Sequence, residues 1–221
     1  MKKVIIIHTS PVSLDDLKAL CNEIIPDIEL VNIIDDSMLE EVKKNNGITP
    51  QVISRMCSYV QIAGSFQPDL IFNQCSSVGE AFDIAKNCVD CKTLKIDEAM
   101  AEAAVETGVD IAVIATVEST LKPSCHLVET KAREKHKRVT VTPYLVNGAL
   151  DILMKEHNKE KHNLMVLKKI EEVDQKHDVI VLAQGSMISI LPYLKTIQHP
   201  VFTSPRLAIE RMKILLEKEE K

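Results

Sequence analysis

Pro68-Asp69-Leu70-Ile71-Phe72-Asn73-Gln74-Cys75-Ser76-Ser77-Val78-Gly79-Glu80 decides how the rest of the chain reads. The apolar run Leu70 to Phe72 stops at a short polar loop, and a helical pattern follows. That order predicts a buried strand, a turn and a helix start. The loop carries a cysteine, two hydroxyls and backbone N–H groups beside a helix N-terminus. Such a place favours anions and lowers a thiol pKa. Cys75 is therefore expected as an activated thiolate with an anion site next to it.

The stretch occurs twice. His177-Asp178-Val179-Ile180-Val181-Leu182-Ala183-Gln184-Gly185-Ser186-Met187 matches it in register, with Asp178 on Asp69, Ile180 on Ile71, Gln184 on Cys75 and Ser186 on Ser77. Val4 to Thr9 (VIIIHT) likewise matches Ile111 to Thr116 (IAVIAT). The two offsets, 109 and 107 residues, are nearly equal. Equal offsets point to two similar half-domains.

Working outward, strands are expected at Val4–Ile7, Ile28–Ile33, Leu70–Phe72 and Thr93–Ile96. Helices are expected at Leu14–Ile24, Met38–Lys44, Pro50–Phe66, Val78–Asn87 and Glu98–Thr107. Ser13 with Asp16 fits a capping box, Thr49-Pro50 an N-cap with its first helical position, and Asp97 another cap. The second half continues with strands Val109–Ala115, Val139–Thr142, Val179–Leu182 and Val201–Phe202. Between them lie helices at Ser119–Lys137, Val146–His157, His162–Lys176 and Met187–Tyr193, and Ser204-Pro205 opens a last helix to Leu216.

Strands alternating with helices imply an α/β fold with parallel sheets. We expect two pseudo-symmetric parallel-sheet half-domains, Rossmann-like or flavodoxin-like. Residues 1–98 with 205–221 form the first and carry Cys75; residues 99–204 form the second and carry Gln184. Ligands of such sheets bind beyond the carboxyl ends of the strands, where the His8, Cys75, Thr116 and Gln184 loops lie. An active site is thus expected in the cleft between the halves.

The chain has 221 residues, 45% hydrophobic and 27% charged, an ordinary globular balance. A net charge of −5 argues against a broad nucleic-acid surface. No apolar run is long enough to span a membrane, and no signal-peptide pattern follows Met1. The six cysteines are then expected as reduced thiols in the cytoplasm.

Taken together, Asn73-Gln74-Cys75-Ser76-Ser77, Ile96-Asp97-Glu98-Ala99-Met100, Ile114-Ala115-Thr116, Leu182-Ala183-Gln184-Gly185-Ser186-Met187 and Ser204-Pro205-Arg206 resemble the aspartate/glutamate/hydantoin racemase superfamily over nearly the full length. The resemblance implies an isomerase that needs no cofactor and no metal. It implies two cysteines acting on opposite faces of a substrate α-carbon. The first falls on Cys75. The second falls on Gln184, where this chain departs from the pattern. A thiol exchanges protons, whereas an amide does not titrate and can only donate hydrogen bonds to a carboxylate or enolate oxygen.

Three mechanisms stay open for Cys75. It pairs with another base in racemisation, and His8 is the candidate because imidazole titrates near neutrality. It alone protonates the enediolate left by a decarboxylation. Or it adds covalently to an activated double bond or carbonyl. All three share a small carboxylate held by Thr9, Ser76, Ser77, Thr116, Gln184, Gly185 and Ser186. A binding protein for a small anion, without catalysis, is the competing class, and a homodimer is left open. Cys88-Val89-Asp90-Cys91 has C-x-x-C spacing without a second ligand pair, so it reads as two thiols after a helix. Cys125-His126 reads as helix packing, His157 and His162 as a solvated connection, and Lys131 to Arg138 as an exposed helix end.

Overall fold

Val4 to Ile7 and Leu70 to Phe72 are fully apolar because they become central parallel strands, buried on both faces. In the computed structural model, which describes residues 1–218 except for the side chain of Ser186, the first half of the chain builds one sheet. Its elements are β1 (Lys2–His8), α1 (Leu14–Ile24), β2 (Ile28–Ile34), α2 (Ser37–Lys44), α3 (Pro50–Ser65), β3 (Leu70–Asn73), α4 (Gly79–Ala85) and β4 (Lys92–Lys95). The strands are all parallel, in the order β2-β1-β3-β4. Successive side chains of a strand point to opposite faces. Ile5, Ile7 and Ile71 therefore pack with α2, α3 and α4 residues such as Met38, Met56 and Phe82. Val4, Ile6, Leu70 and Phe72 pack on the other face, against Leu17 and Cys21 of α1.

The second half repeats the plan with α5 (Glu98–Thr107), β5 (Asp110–Ala115), α6 (Glu118–Glu134), β6 (Thr140–Leu145), α7 (Ala149–Lys155), α8 (Lys159–Asp174), β7 (Val179–Leu182) and β8 (Val201–Thr203). The order β6-β5-β7-β8, again all parallel, is that of the first sheet. The last helix, α9 (Ser204–Glu217), brings Ala208, Ile209, Met212 and Leu216 onto the Val4/Phe72 face of the first sheet. The chain accordingly divides into two compact units, Met1–Ile96 with the chain from Pro205 on, and Asp97–Ser204. No helix among the described residues is long and apolar enough to cross a membrane.

Several local expectations change. Ser13 makes no cap bond to α1; its hydroxyl accepts from Gln74 Nε2 at 2.6 Å. Asp97 likewise makes no side-chain cap on α5. Thr49 does cap α3, accepting from the Val52 N–H at 3.2 Å. The helix expected over Val78–Asn87 is α4 flanked by two tight 3-10 turns, Ser76–Val78 and Lys86–Cys88. The Met187–Tyr193 helix is also 3-10, running from Gly185 to Tyr193. β6 extends past Thr142 to Leu145 and includes Pro143, which an edge strand tolerates because its outer N–H needs no partner. The helix expected from Val146 begins at Ala149, entered through Gly148 at φ +78°, a left-handed conformation that glycine adopts without strain.

His162 is not in a solvated connection. α8 starts at Lys159, so His162 lies on its inward stripe with Val166, Ile170 and Val173, and is fully buried. The basic run after Lys131 is not simply an exposed end. Lys131 pairs with Glu102 and Glu134, Lys135 pairs with Glu106, and Lys137 Nζ donates to the Val105 carbonyl at 2.9 Å. Lys135 and Lys137 sit at the carbonyl end of α5, where the helix dipole favours them.

Candidate active site

β1 and β3 are neighbours, with Ile7 opposite Asn73. Carrying the alternation two residues further along each strand sets Thr9 beside Cys75, both on the Ile5/Ile71 face. Thr9 is buried, and its side chain hydrogen-bonds the Cys75 sulfur. Cys75 has extended backbone (φ −121°, ψ 116°) immediately before the Ser76–Val78 turn. The turn aims the Ser77 and Val78 N–H groups, together with the Ser77 hydroxyl, at the same sulfur. Ser77 is buried, whereas Cys75 and Ser76 are half-buried.

These donors do not make a low-pKa thiolate. Burial pushes the Cys75 thiol up, and the bonds from Thr9, Ser77 and Val78 offset only part of that rise. The helix behind it, α4, has seven residues, too short for a strong terminal dipole. Cys75 is thus a proton-bearing thiol at neutral pH, and its anion would be stabilised by a ring of donors.

His8 belongs to the other face. It continues the Val4/Ile6 side of β1, while Cys75 lies on the Ile5/Ile7 side. Its Nε2 is 2.9 Å from Asn32 Oδ1, which accepts and so assigns the proton to Nε2. Nδ1 is buried without a hydrogen-bond partner among the described residues. Burial lowers the His8 pKa, although Asn32 and Gln74 pull it back in part, and the ring is neutral at pH 7. No hydrogen bond among the described residues joins His8 to Cys75.

Asn73 is a loop residue that the motif alone leaves without a role. Its Nδ2 donates to the Cys75 carbonyl at 2.9 Å and so holds the loop, as an asparagine two residues ahead of a turn can. Lys95, paired in register with Asn73, is also buried. Its stem runs under Gly79, its amine reaches Asp83 at 2.5 Å, and it buttresses the helix that follows the Cys75 turn.

In the second unit the equivalent geometry recurs. Ile114 is opposite Leu182, so two residues further on Thr116 and Gln184 are neighbours, just past the strand ends. Gln184 Oε1 accepts from both the Thr116 N–H (2.5 Å) and the Thr116 hydroxyl (2.8 Å). A backbone N–H can only donate, so the amide oxygen must face Thr116. The Nε2 hydrogens are then the part of Gln184 left to bind a ligand. Thr116 is buried, while Gln184 and Gly185 are half-buried; the Ser186 side chain lies outside the described residues. No group of three or more His, Cys, Asp or Glu side chains among the described residues converges as a metal site would.

No family model matches the chain, and no curated protein matches it. Solved structures do share its fold. The aspartate racemase of Picrophilus torridus is 18% identical, covers 100% of this chain and 96% of its own, and superposes with a TM-score of 0.68. The allantoin racemase of Klebsiella pneumoniae is 13% identical over 98% of this chain and 88% of its own, with a TM-score of 0.71. A mutant arylmalonate decarboxylase in a sulfate-associated form is 14% identical over 99% and 95%, with a TM-score of 0.66. The two-sheet architecture is therefore that of racemases and of a decarboxylase.

Proposed function

We propose that this chain is a cofactor-independent enzyme of the racemase and isomerase kind, acting at the α-carbon of a small carboxylate such as an amino acid. The observation that carries this reading is the Cys75 sulfur held by Thr9, Ser77 and Val78 donors at a strand end. A protonated thiol in that setting is a proton donor to a carbanion, and the same donors stabilise the thiolate left behind. The Gln184 amide, fixed by Thr116 with its N–H groups outward, serves as a donor to a carboxylate or enolate oxygen. Ser76, Ser77, Thr116 and the Gly185 backbone supply further donors to an anionic substrate. His8 supports the loop through Asn32 and Gln74 rather than acting as the second base.

A second reading is a one-cysteine decarboxylase. It is favoured by the identity of residue 184, because an amide cannot take an α-proton, whereas protonating an enediolate after loss of carbon dioxide needs one acid only. One experiment addresses both. Amino acids, hydroxy acids and substituted malonates are incubated with the protein in deuterated water, and deuterium at Cα and carbon dioxide release are followed. Exchange of one enantiomer much faster than the other, lost in Cys75→Ser, is the expected result for the isomerase-like chemistry. Carbon dioxide release with single-face deuteration selects the decarboxylase. Undiminished turnover in Cys75→Ser removes the thiol from either mechanism.

A further inference from the structure

Asp35 follows directly on β2, and its N–H donates to the His8 carbonyl at 3.0 Å, one residue before Thr9. Its side chain is only 9% exposed, and both carboxylate oxygens are engaged. Oδ1 accepts from the Ser37 N–H at 3.0 Å and from the Ser37 hydroxyl at 2.6 Å. Oδ2 accepts from the Tyr59 hydroxyl at 2.9 Å and from Arg55 Nη1 at 3.1 Å. Arg55 Nη1 also donates to Ser37 Oγ at 2.9 Å, and Nη2 donates to Glu41 Oε2 at 2.6 Å. Ser37 with Glu41, and Arg55 with Tyr59, are four residues apart, so each pair shares one face of its helix. The guanidinium fork thus takes one carboxylate on each nitrogen and joins the end of β2, α2 and α3. Burial raises the Asp35 carboxyl, but the Ser37 and Tyr59 bonds and the Arg55 charge more than offset it, and Asp35 lies below the usual carboxylate range.

The joined elements are the ones that stand behind the Cys75 donors. α2 packs against the Ser76–Val78 turn. Its inward residues Met38 and Val42 are buried in the same apolar cluster as Val78, and Cys75 packs on that cluster. Thr9, the other donor, directly follows the carbonyl that the Asp35 N–H holds. We propose that Arg55 is a positioning residue for Cys75: by binding Asp35 and Glu41 together it holds α2 on the turn and the end of β2 on His8, and so keeps the Thr9, Ser77 and Val78 donors on the sulfur. The role rests on the reading of Cys75 as the working thiol, and Arg55 itself touches no reacting atom. A lysine would not replace it, because an ammonium is a point charge without the planar fork that spans two carboxylates. With the cation gone, Asp35 and Glu41 are like charges facing each other, and α2 is pushed off the turn.

The test follows Cys75 without a substrate, so the positioning role and the proposed chemistry can fail separately. The full chain is alkylated with iodoacetamide over a series of pH values, and fragment sequencing by mass spectrometry gives a titration midpoint for Cys75 and, as an internal control in the other unit, for Cys125. Urea midpoints are measured alongside. Arg55→Met keeps the length of the side chain and removes the charge, so the Cys75 midpoint should move to higher pH as the thiolate loses its donors. Arg55→Lys should move it the same way by less. Asp35→Asn breaks the network from the opposite side and should also raise it. Cys125 should not shift in any of the three. If Arg55→Met does not fold, Arg55→Lys and Asp35→Asn, which keep part of the polar contacts, decide the matter. A lower urea midpoint with an unmoved Cys75 titration makes Arg55 a structural residue only and overturns the proposal. A falling Cys75 midpoint, or equal shifts at Cys75 and Cys125, overturns it too.

Discussion

At Cys75 two opposed effects meet, and burial is the larger. A strand-end cysteine with backbone donors looks in sequence like a thiolate, because the donors follow from the turn while the depth of burial does not. Thr9 is the donor whose contribution is easiest to isolate. Thr9→Val keeps shape and removes the hydroxyl, so Cys75 should titrate still higher. The check is the pH midpoint of Cys75 alkylation by iodoacetamide, resolved by fragment mass spectrometry; an unmoved midpoint would show that the hydroxyl does not act on the sulfur. Once the register of β1 against β3 is set, counting alternation along the two strands pairs Thr9 with Cys75. The same count separates His8 from Cys75, which chemistry alone had joined.

Among the helices, the same kind of signal succeeds once and fails once. Thr49-Pro50 ends up as a working cap because nothing competes for the Thr49 lone pair facing Val52, while its hydroxyl hydrogen goes to Glu41 at 2.6 Å. Ser13 makes no cap: its backbone (φ −103°, ψ 10°) is not the extended one Thr49 has, and its hydroxyl is turned to Gln74. Thr49→Ala should therefore destabilise the protein by about 1 kcal/mol, read as a lower urea midpoint at unchanged slope. Ser13→Ala should leave α1 unaffected. A Thr49→Ala variant as stable as the parent would mean that Pro50 alone starts α3. The Lys131 to Lys137 run makes the same point, since its partners on α5 lie far off in sequence and only folding brings them together.

For the molecule as a whole, buried thiols tie stability to alkaline pH. Burial pushes Cys21 up to about 11, and burial with Glu129 and Glu118 does the same to Cys125. The folded state keeps these protons while the unfolded chain loses them from about pH 8.5. Their contribution is thus fully present below that pH and is lost as pH climbs towards about 11. The urea midpoint should fall over this window. Cys21→Ala should flatten the fall by something on the order of 2 kcal/mol, since Cys21 is fully buried. An equal fall in parent and variant would show that Cys21 ionises freely. Lysine titration lowers both alike, so the difference isolates the thiol.

By itself the sequence determined the alternation of strands and helices, the parallel sheets, and the internal repeat that makes Thr9 with Cys75 the counterpart of Thr116 with Gln184. These are legible because hydrophobic period and chain order are local properties, and a repeat is visible as text. Only the tertiary structure decided which way each strand-end side chain points and how deeply it is buried. It alone showed that Gln184 turns its amide oxygen to Thr116 and that Ser13 is met by Gln74. Those outcomes depend on register and on contacts between residues far apart in the chain, where desolvation and distant hydrogen-bond partners outweigh the preference of any residue read alone.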